Sequence, residues 1–384
     1  MKRLSKTVVC VLLPVLFFFY AFPLRVQAAD IAPRYVRTVD EDAGTGTGMY
    51  SHGEPKDTIT MMFAGDIMCL SAQQHVGVAG DCWDFRYSFD KVRKIFAEAD
   101  LSVANLETLV SASNVYTGSQ KNAENGLPQC NAPGAILAAA RYAGIDALMT
   151  ANNHACDWGR VGIEETLDML DLFKFMHTGT NWPGDARYVI ADVCGIRVAL
   201  ISTTHIINQR GLIAPDELDQ MVNTFDINTL SEDIASAKKA GAEFVVTYVH
   251  WGSENVEDIR DYQFSDAKAV AEAGADLIIG SHPHCLQMRA DLTTGDGRKV
   301  PVYYSLGNFL SSMAKYINND TVILKVTAKR DADGRVVITD TELIPCWVTF
   351  STFIITPIDD AGAAASSTLR ESRDRIRGIF PAMK

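Results

Sequence analysis

The stretch "IIGSHPHCLQ", residues 278–287, places two histidines one residue apart directly after an apolar run. Residues 276–284 read as one short strand, because a run of this length bounded by polar residues suits a strand buried on both faces. On an extended backbone His282 and His284 fall on the same side. Either the end of this strand is a metal-binding turn, or it is a loop that contains histidine. The rest of the chain decides between them.

Outward from it the same pattern recurs. "TITMMFAGD" (58–66) is a strand ending at Asp66, and "LSVANLE" (101–107) ends at Asn105 and Glu107. "IDALMTANNH" (145–154) ends at Asn152, Asn153 and His154, and "FVVTYVHWG" (244–252) carries His250. Helical spacing lies between them, at 88–100, 133–144, 162–175, 229–243 and 265–275, and 186–203 reads as a hairpin turning at Gly195. This alternation predicts an α/β layered fold. After it, 321–348 alternates in strand fashion around Asp333-Gly334 and adds antiparallel strands.

In open α/β sheets the carboxyl ends of the strands share one edge, where sites assemble. Each strand end alone is weak. An Asp after Gly commonly shapes a turn, "ANNH" suits a left-handed turn, and His250 beside Trp251 suits a stacked core histidine. Five strands that bring Asp, Glu, Asn and His to one edge are a stronger signal. These residue types fit one or two divalent ions, with manganese, zinc and iron all compatible with the donor set. A shared carboxylate can bridge two such ions, and a histidine left over can protonate a leaving group.

Together "FAGDIM", "NLE", "NNHACDWG", "HWGSE", "GSHPHCLQ" and "YSLGNF" resemble the CapA-type poly-gamma-glutamate capsule biosynthesis proteins, a family related in fold to calcineurin-like metallophosphoesterases. The resemblance covers about residues 58–310. It implies a four-layer α/β/β/α sandwich, with Asp66 and His284 on a first metal, Glu107 bridging, and Asn153, His250 and His282 on a second. His154 would be the catalytic acid. One position departs from the pattern: metallophosphoesterases carry Asp-x-His in the first motif, and here it reads Asp66-Ile67-Met68. The implied function is metal-dependent hydrolysis or transfer in the biosynthesis of poly-gamma-glutamate or a related surface polymer. Two alternatives stay open, a non-catalytic envelope scaffold for polymer export and a general metallophosphoesterase. Expected partners are the surface polymer or its precursor and membrane-bound polymer synthesis components.

Composition bounds these readings. The chain has 384 residues, 47% hydrophobic and 21% charged, with a formal net charge of −12. A surface this acidic excludes nucleic acid as the expected partner. Lys2, Arg3 and Lys6 precede an uncharged apolar run, and small residues surround Ala28, so 1–28 reads as a signal peptide or an uncleaved anchor. The expected location is accordingly the periplasm, the exterior, or the envelope surface. Residues 29–56 read as a linker, 57–350 as the folded domain, and 351–384 as a C-terminal extension that packs outside or frays. Seven cysteines follow Cys10. Cys82 and Cys130 lie beyond strand ends, where a disulfide would staple two long loops. Cys69, Cys156 and Cys285 sit beside the motifs, either as neighbours in space or as small apolar fillers. His205, at the end of the hairpin, reads as a surface residue within reach of the site. Asp157 reads as a turn residue, and Ser305 and Asn308 as backbone supports beneath the site.

Overall fold

A computed structural model describes residues 32–38 and 49–381. The segment 1–28, read as a signal peptide or anchor, lies outside the described residues, as do 39–48 within the expected linker and the last three residues. Among the described residues no helix is long and apolar enough to cross a membrane.

Two eight-stranded sheets face each other. In the first, Ile196–Thr204, Phe244–His250, Leu277–Ser281 and Lys299–Leu306 run parallel side by side. In the second, Met176–Thr178, Ala147–Met149, Leu101–Leu106 and Thr58–Ile67 run parallel, and the antiparallel strands Asp320–Arg330, Val336–Val348 and Ile355–Pro357 extend it. Side chains alternate across each strand. Phe244, Val246 and Tyr248 point into the layer between the sheets, where they join Phe63, Val103 and Met149. Val245 and Val249 point the other way, onto the helices Ile227–Lys239 and Asp261–Ala273. Ala104 and Leu148 of the second sheet pack on the alanine-rich helix Ala135–Ala143. Strands covered on both faces must be apolar throughout, which is why they read as unbroken runs. The result is the expected four-layer α/β/β/α sandwich with antiparallel strands added near the C-terminus.

Near the carboxyl ends of the strands, two positions have no side chain because neighbouring backbone takes the space. A Cβ on Gly65 would lie 1.9 Å from the Gly307 carbonyl oxygen, and one on Gly280 would lie 1.9 Å from that of Tyr304. Neighbouring backbone therefore reaches van der Waals contact immediately before Asp66 and before Ser281-His282.

Several local expectations change. The strand expected over 276–284 ends at Ser281. His282 and His284 take positive φ, 94° and 55°, so they stand on a tight reverse turn and not on extended backbone. The chain then returns as an unforeseen strand, Leu286–Thr293, antiparallel to Lys299–Leu306. The helix expected over 88–100 shrinks to a 3₁₀ turn and the single turn Arg93–Phe96, while Phe89, Val92 and Phe96 still enter the core. Part of the expected linker is structural: Val36–Thr38 and Met49–His52 form the edge of the first sheet. In the C-terminal extension, Ile376 and Phe380 of the last helical segment enter the buried layer, and Arg375 and Ser372 hold the buried Asp320 carboxylate.

Arg34 fixes the N-terminal edge. Its guanidinium pairs with the fully buried Asp146, with Nε 3.0 Å from Oδ1, and bonds the carbonyls of Ala99 and Gly144 and the hydroxyl of Ser102. Asp146 also accepts the Ser102 N–H at 2.9 Å. Removing one partner of such a pair strands a buried charge. Arg34→Ala should therefore destabilise the domain by roughly 2–4 kcal/mol. Adding Asp146→Asn to that variant should cost much less than Asp146→Asn does alone. Denaturant midpoints of the four proteins in this cycle check the coupling.

Candidate metal centre

Six side chains from five strand ends meet at the shared edge, and all six residues are at least 94% buried. Asp66 closes its strand with Oδ1 taking a hydrogen bond from Asn105 Nδ2 at 2.8 Å and Oδ2 accepting the His282 N–H at 3.3 Å. Glu107 follows the neighbouring strand. Both its oxygens are buried, and neither has a hydrogen-bond donor. Around it stand His284 Nε2 at 3.4 Å and His250 Nε2 at 3.7 Å. His250 Nε2 is also 3.0 Å from Asn153 Oδ1, and His284 Nδ1 is 3.4 Å from Asp66 Oδ2. The His282 ring lies 4.7 Å from that of His250 and 5.8 Å from that of His284.

The far side of each ring is occupied. Ser281 Oγ sits 2.9 Å from His250 Nδ1, and Asn308 Oδ1 sits 3.0 Å from His284 Nδ1. Asn308 gives its own amide to the Asn318 carbonyl, which identifies its oxygen as the atom that faces histidine. A ring that donates from Nδ1 keeps its Nε2 lone pair free, as His284 does toward Glu107, and His250 Nε2 lies between Glu107 and the Asn153 amide oxygen. The separations of 3.7 and 3.4 Å between Glu107 and the two Nε2 atoms are too long for hydrogen bonds. They suit donors that share an ion: two ligands each ~2.1 Å from one centre sit about 3–3.5 Å apart. The donors fall into two groups, Asp66–Glu107–His284 and Glu107–His250–His282, with Glu107 common to both. The residues therefore fit a pair of divalent ions with Glu107 between them.

Electrostatics agree with that fit. Burial, and then the Asp66 charge, push the Glu107 carboxyl well above its ordinary range. Burial and the neighbouring imidazoles hold His250 far below its usual value and take His282 down to about 3. Both rings are thus neutral at physiological pH, the form that ligates metal.

His154 lies beside this cluster and not in it. Its Nδ1 is 2.6 Å from Asp157 Oδ2, and its Nε2 is 3.8 Å from the Cys130 thiol. Burial opposes its protonation, but Asp157 and Cys130 hold its pKa well above the ordinary value. The expected pairing of Cys82 with Cys130 is not formed. Cys130 faces His154, and the Cys82 thiol bonds the Ala79 carbonyl inside its own small hairpin. Cys69 is buried, with Cys130 close enough to raise its pKa further. Asp157, read as a turn residue, instead orients His154 and accepts the Cys130 N–H. Asn308, read as a backbone support, bonds a site imidazole. His205 is turned away: it stacks on Phe225 at 4.1 Å and meets Asp266 at 3.3 Å. Met68 is buried with its sulfur 3.9 Å from Ser311 Oγ. Ser281 and Asn318 went unnoticed in the sequence, because a hydroxyl or an amide carries no spacing signal of its own.

Residues 60–313 match the family described as bacterial capsule synthesis protein PGA_cap. The chain is 28% identical over 298 residues to the capsule biosynthesis protein CapA of Bacillus anthracis, covering 72% of this chain and 69% of that one. It is 28% identical over 290 residues to the PGA biosynthesis protein CapA of Bacillus subtilis (strain 168), covering 75% and 72%. Among solved structures, the NAD nucleotidase NadN of Haemophilus influenzae aligns with a TM-score of 0.46 at 13% identity, and the sulfate thiohydrolase SoxB of Thermus thermophilus with 0.44 at 14%. Each alignment covers 84% of this chain but only 62% of the solved structure, so the chain spans less than two thirds of their length. With two thirds of its residues matched, the chain belongs to the bacterial capsule synthesis protein family PGA_cap.

Proposed function

We propose that this protein is an exported, metal-dependent hydrolase or transferase acting in the biosynthesis of poly-gamma-glutamate or a related capsule polymer. The observation that carries the reading is Glu107, a buried carboxylate without a donor, set between histidines whose free nitrogens face it. Asp66, Glu107 and His284 would hold one divalent ion, and Glu107, Asn153, His250 and His282 the other. When bound, such ions supply an activated water and neutralise charge that develops on the substrate. His154 is the group available for proton transfer, oriented through Nδ1 by Asp157, with Cys130 at the nitrogen that would face substrate. The family membership and the relatives' names support a capsule polymer or its precursor as the substrate, with membrane-bound synthesis components as the partners. Export rests on the N-terminal sequence alone. A second reading, a non-catalytic envelope scaffold, is favoured by one observation, the buried thioether of Met68 where the first motif would carry an imidazole.

Metal content of the purified chain, followed by assays on phosphoesters and on gamma-glutamyl polymer, tests the proposal. Bound divalent metal with turnover of either substrate supports it, and bound metal without turnover of any substrate favours the scaffold. Glu107→Gln should remove both ions, since Glu107 belongs to both donor groups. Ion affinity should rise with pH, because Glu107 must release its proton to bind while His250 and His282 are already neutral. Titration calorimetry in buffers of different ionisation enthalpy should detect about one proton released per protein molecule, the one on Glu107. His154→Ala should lower turnover by ~10²–10⁴-fold and leave the metal content unchanged. Metal loss in that variant would make His154 a ligand instead.

A further inference from the structure

The donor count at the first ion is short. Asp66, Glu107 and His284 give three protein ligands, and Met68 occupies the place where a fourth is expected. A thioether is a poor partner for a hard divalent ion. His205 cannot fill the place, because its ring is committed to Phe225 and Asp266.

We propose that Glu254 supplies the missing ligand, closing the metal centre from its solvent side. The inference rests on the metal reading above and adds a residue to it. One carboxylate oxygen of Glu254 and one ring nitrogen from each of His282 and His284 lie within 4.8 Å of one another. Glu254 is exposed, and its carboxylate has no hydrogen bond or ion pair with any described residue. The side chain it approaches is also unsatisfied: His282 is 94% buried, and its Nδ1 has no partner. Of the two imidazoles that Glu254 approaches, His284 is the one already grouped with Asp66 and Glu107, so a Glu254 oxygen would join the first ion from the His284 side.

The loop that carries Glu254 is fastened to the histidine turn. The Asn255 N–H bonds the Pro283 carbonyl at 2.8 Å. Asn255 Oδ1 accepts from Asn318 Nδ2 at 3.0 Å, and the same amide donates to the His284 carbonyl at 2.8 Å. The Gly252 N–H bonds the Tyr262 hydroxyl at 2.6 Å. Asn255 itself takes a left-handed φ of 60°, which turns the chain back over His282-Pro283-His284. Glu254 is therefore held over the turn by backbone, and its side chain alone supplies the final reach. A ligand that is exposed exchanges more readily than buried ones, so the ion that it completes is the exchangeable member of the pair.

Titration of the metal-free full-length chain with Mn²⁺ tests this. The wild type should bind two ions. Glu254→Ala should keep one at wild-type affinity and weaken the other at least tenfold, with thermal unfolding of the metal-free form unchanged because the side chain is exposed. Met68→His in the Glu254→Ala background should restore the weakened ion. Two ions bound by Glu254→Ala with wild-type affinities would overturn the role of Glu254 and leave the metal centre standing. A wild type that binds neither Mn²⁺ nor Zn²⁺ would overturn the metal reading itself, and this proposal with it.

Discussion

The structure turns on one carboxylate. Glu107 is enclosed by protein on every side, yet no N–H or O–H is aimed at it. A carboxylate taken out of water without compensation is penalised by several kcal/mol even after the surroundings relax. Folded proteins avoid that state by supplying donors, and this fold supplies lone pairs. The His284 Nδ1 is turned outward to the Asn308 amide oxygen, Ser281 meets the His250 Nδ1, and the His282 Nδ1 has no partner. The pocket is thus complementary to positive charge and to little else. In the metal-free chain, that burial pushes the Glu107 carboxyl well above its ordinary range.

Geometry serves the same end. Gly65 and Gly280 let the strands close together, so residues distant in sequence reach one another within the span of a metal coordination sphere. The turn at His282-Pro283-His284 holds two non-glycine residues at positive φ, a conformation that costs of order 1–3 kcal/mol each and persists only where the surroundings enforce it. The Asn318 amide and the Asp66 carboxylate enforce it through the backbone at His284 and His282. Such strain concentrates at sites where the direction of a side chain matters more than local stability.

Much of this was legible in the sequence because the strands are covered on both faces and their ends are not. An apolar run that stops at Asp, Glu, Asn or His marks both an element and a candidate site, and the six clustered side chains all lie at such ends, although the choice of these six among the polar strand-end residues came from the family resemblance. The HPH turn was misread because one-residue spacing resembles a strand, and only the positive φ values show otherwise. Asp157, Asn308 and Glu254 were harder still. Their roles depend on which partner the fold brings opposite them, and a single sequence does not record that partner. The cysteines show the same limit: Cys130 sits beyond a strand end as a disulfide partner would, but the fold presents it to an imidazole.

The chain's point of entry has a directional consequence. Arg34 is bound at the amino-terminal ends of the parallel strands, beside Ser102 and Asp146, while Asp66, Glu107 and the histidines stand at the opposite ends. The polypeptide joins the body of the domain at one pole, and the edge with the clustered carboxylates and imidazoles is at the other. An attachment through the N-terminus would therefore load the Arg34 clasp and orient the molecule, with its cluster of carboxylates and imidazoles facing away from the surface to which it is tied.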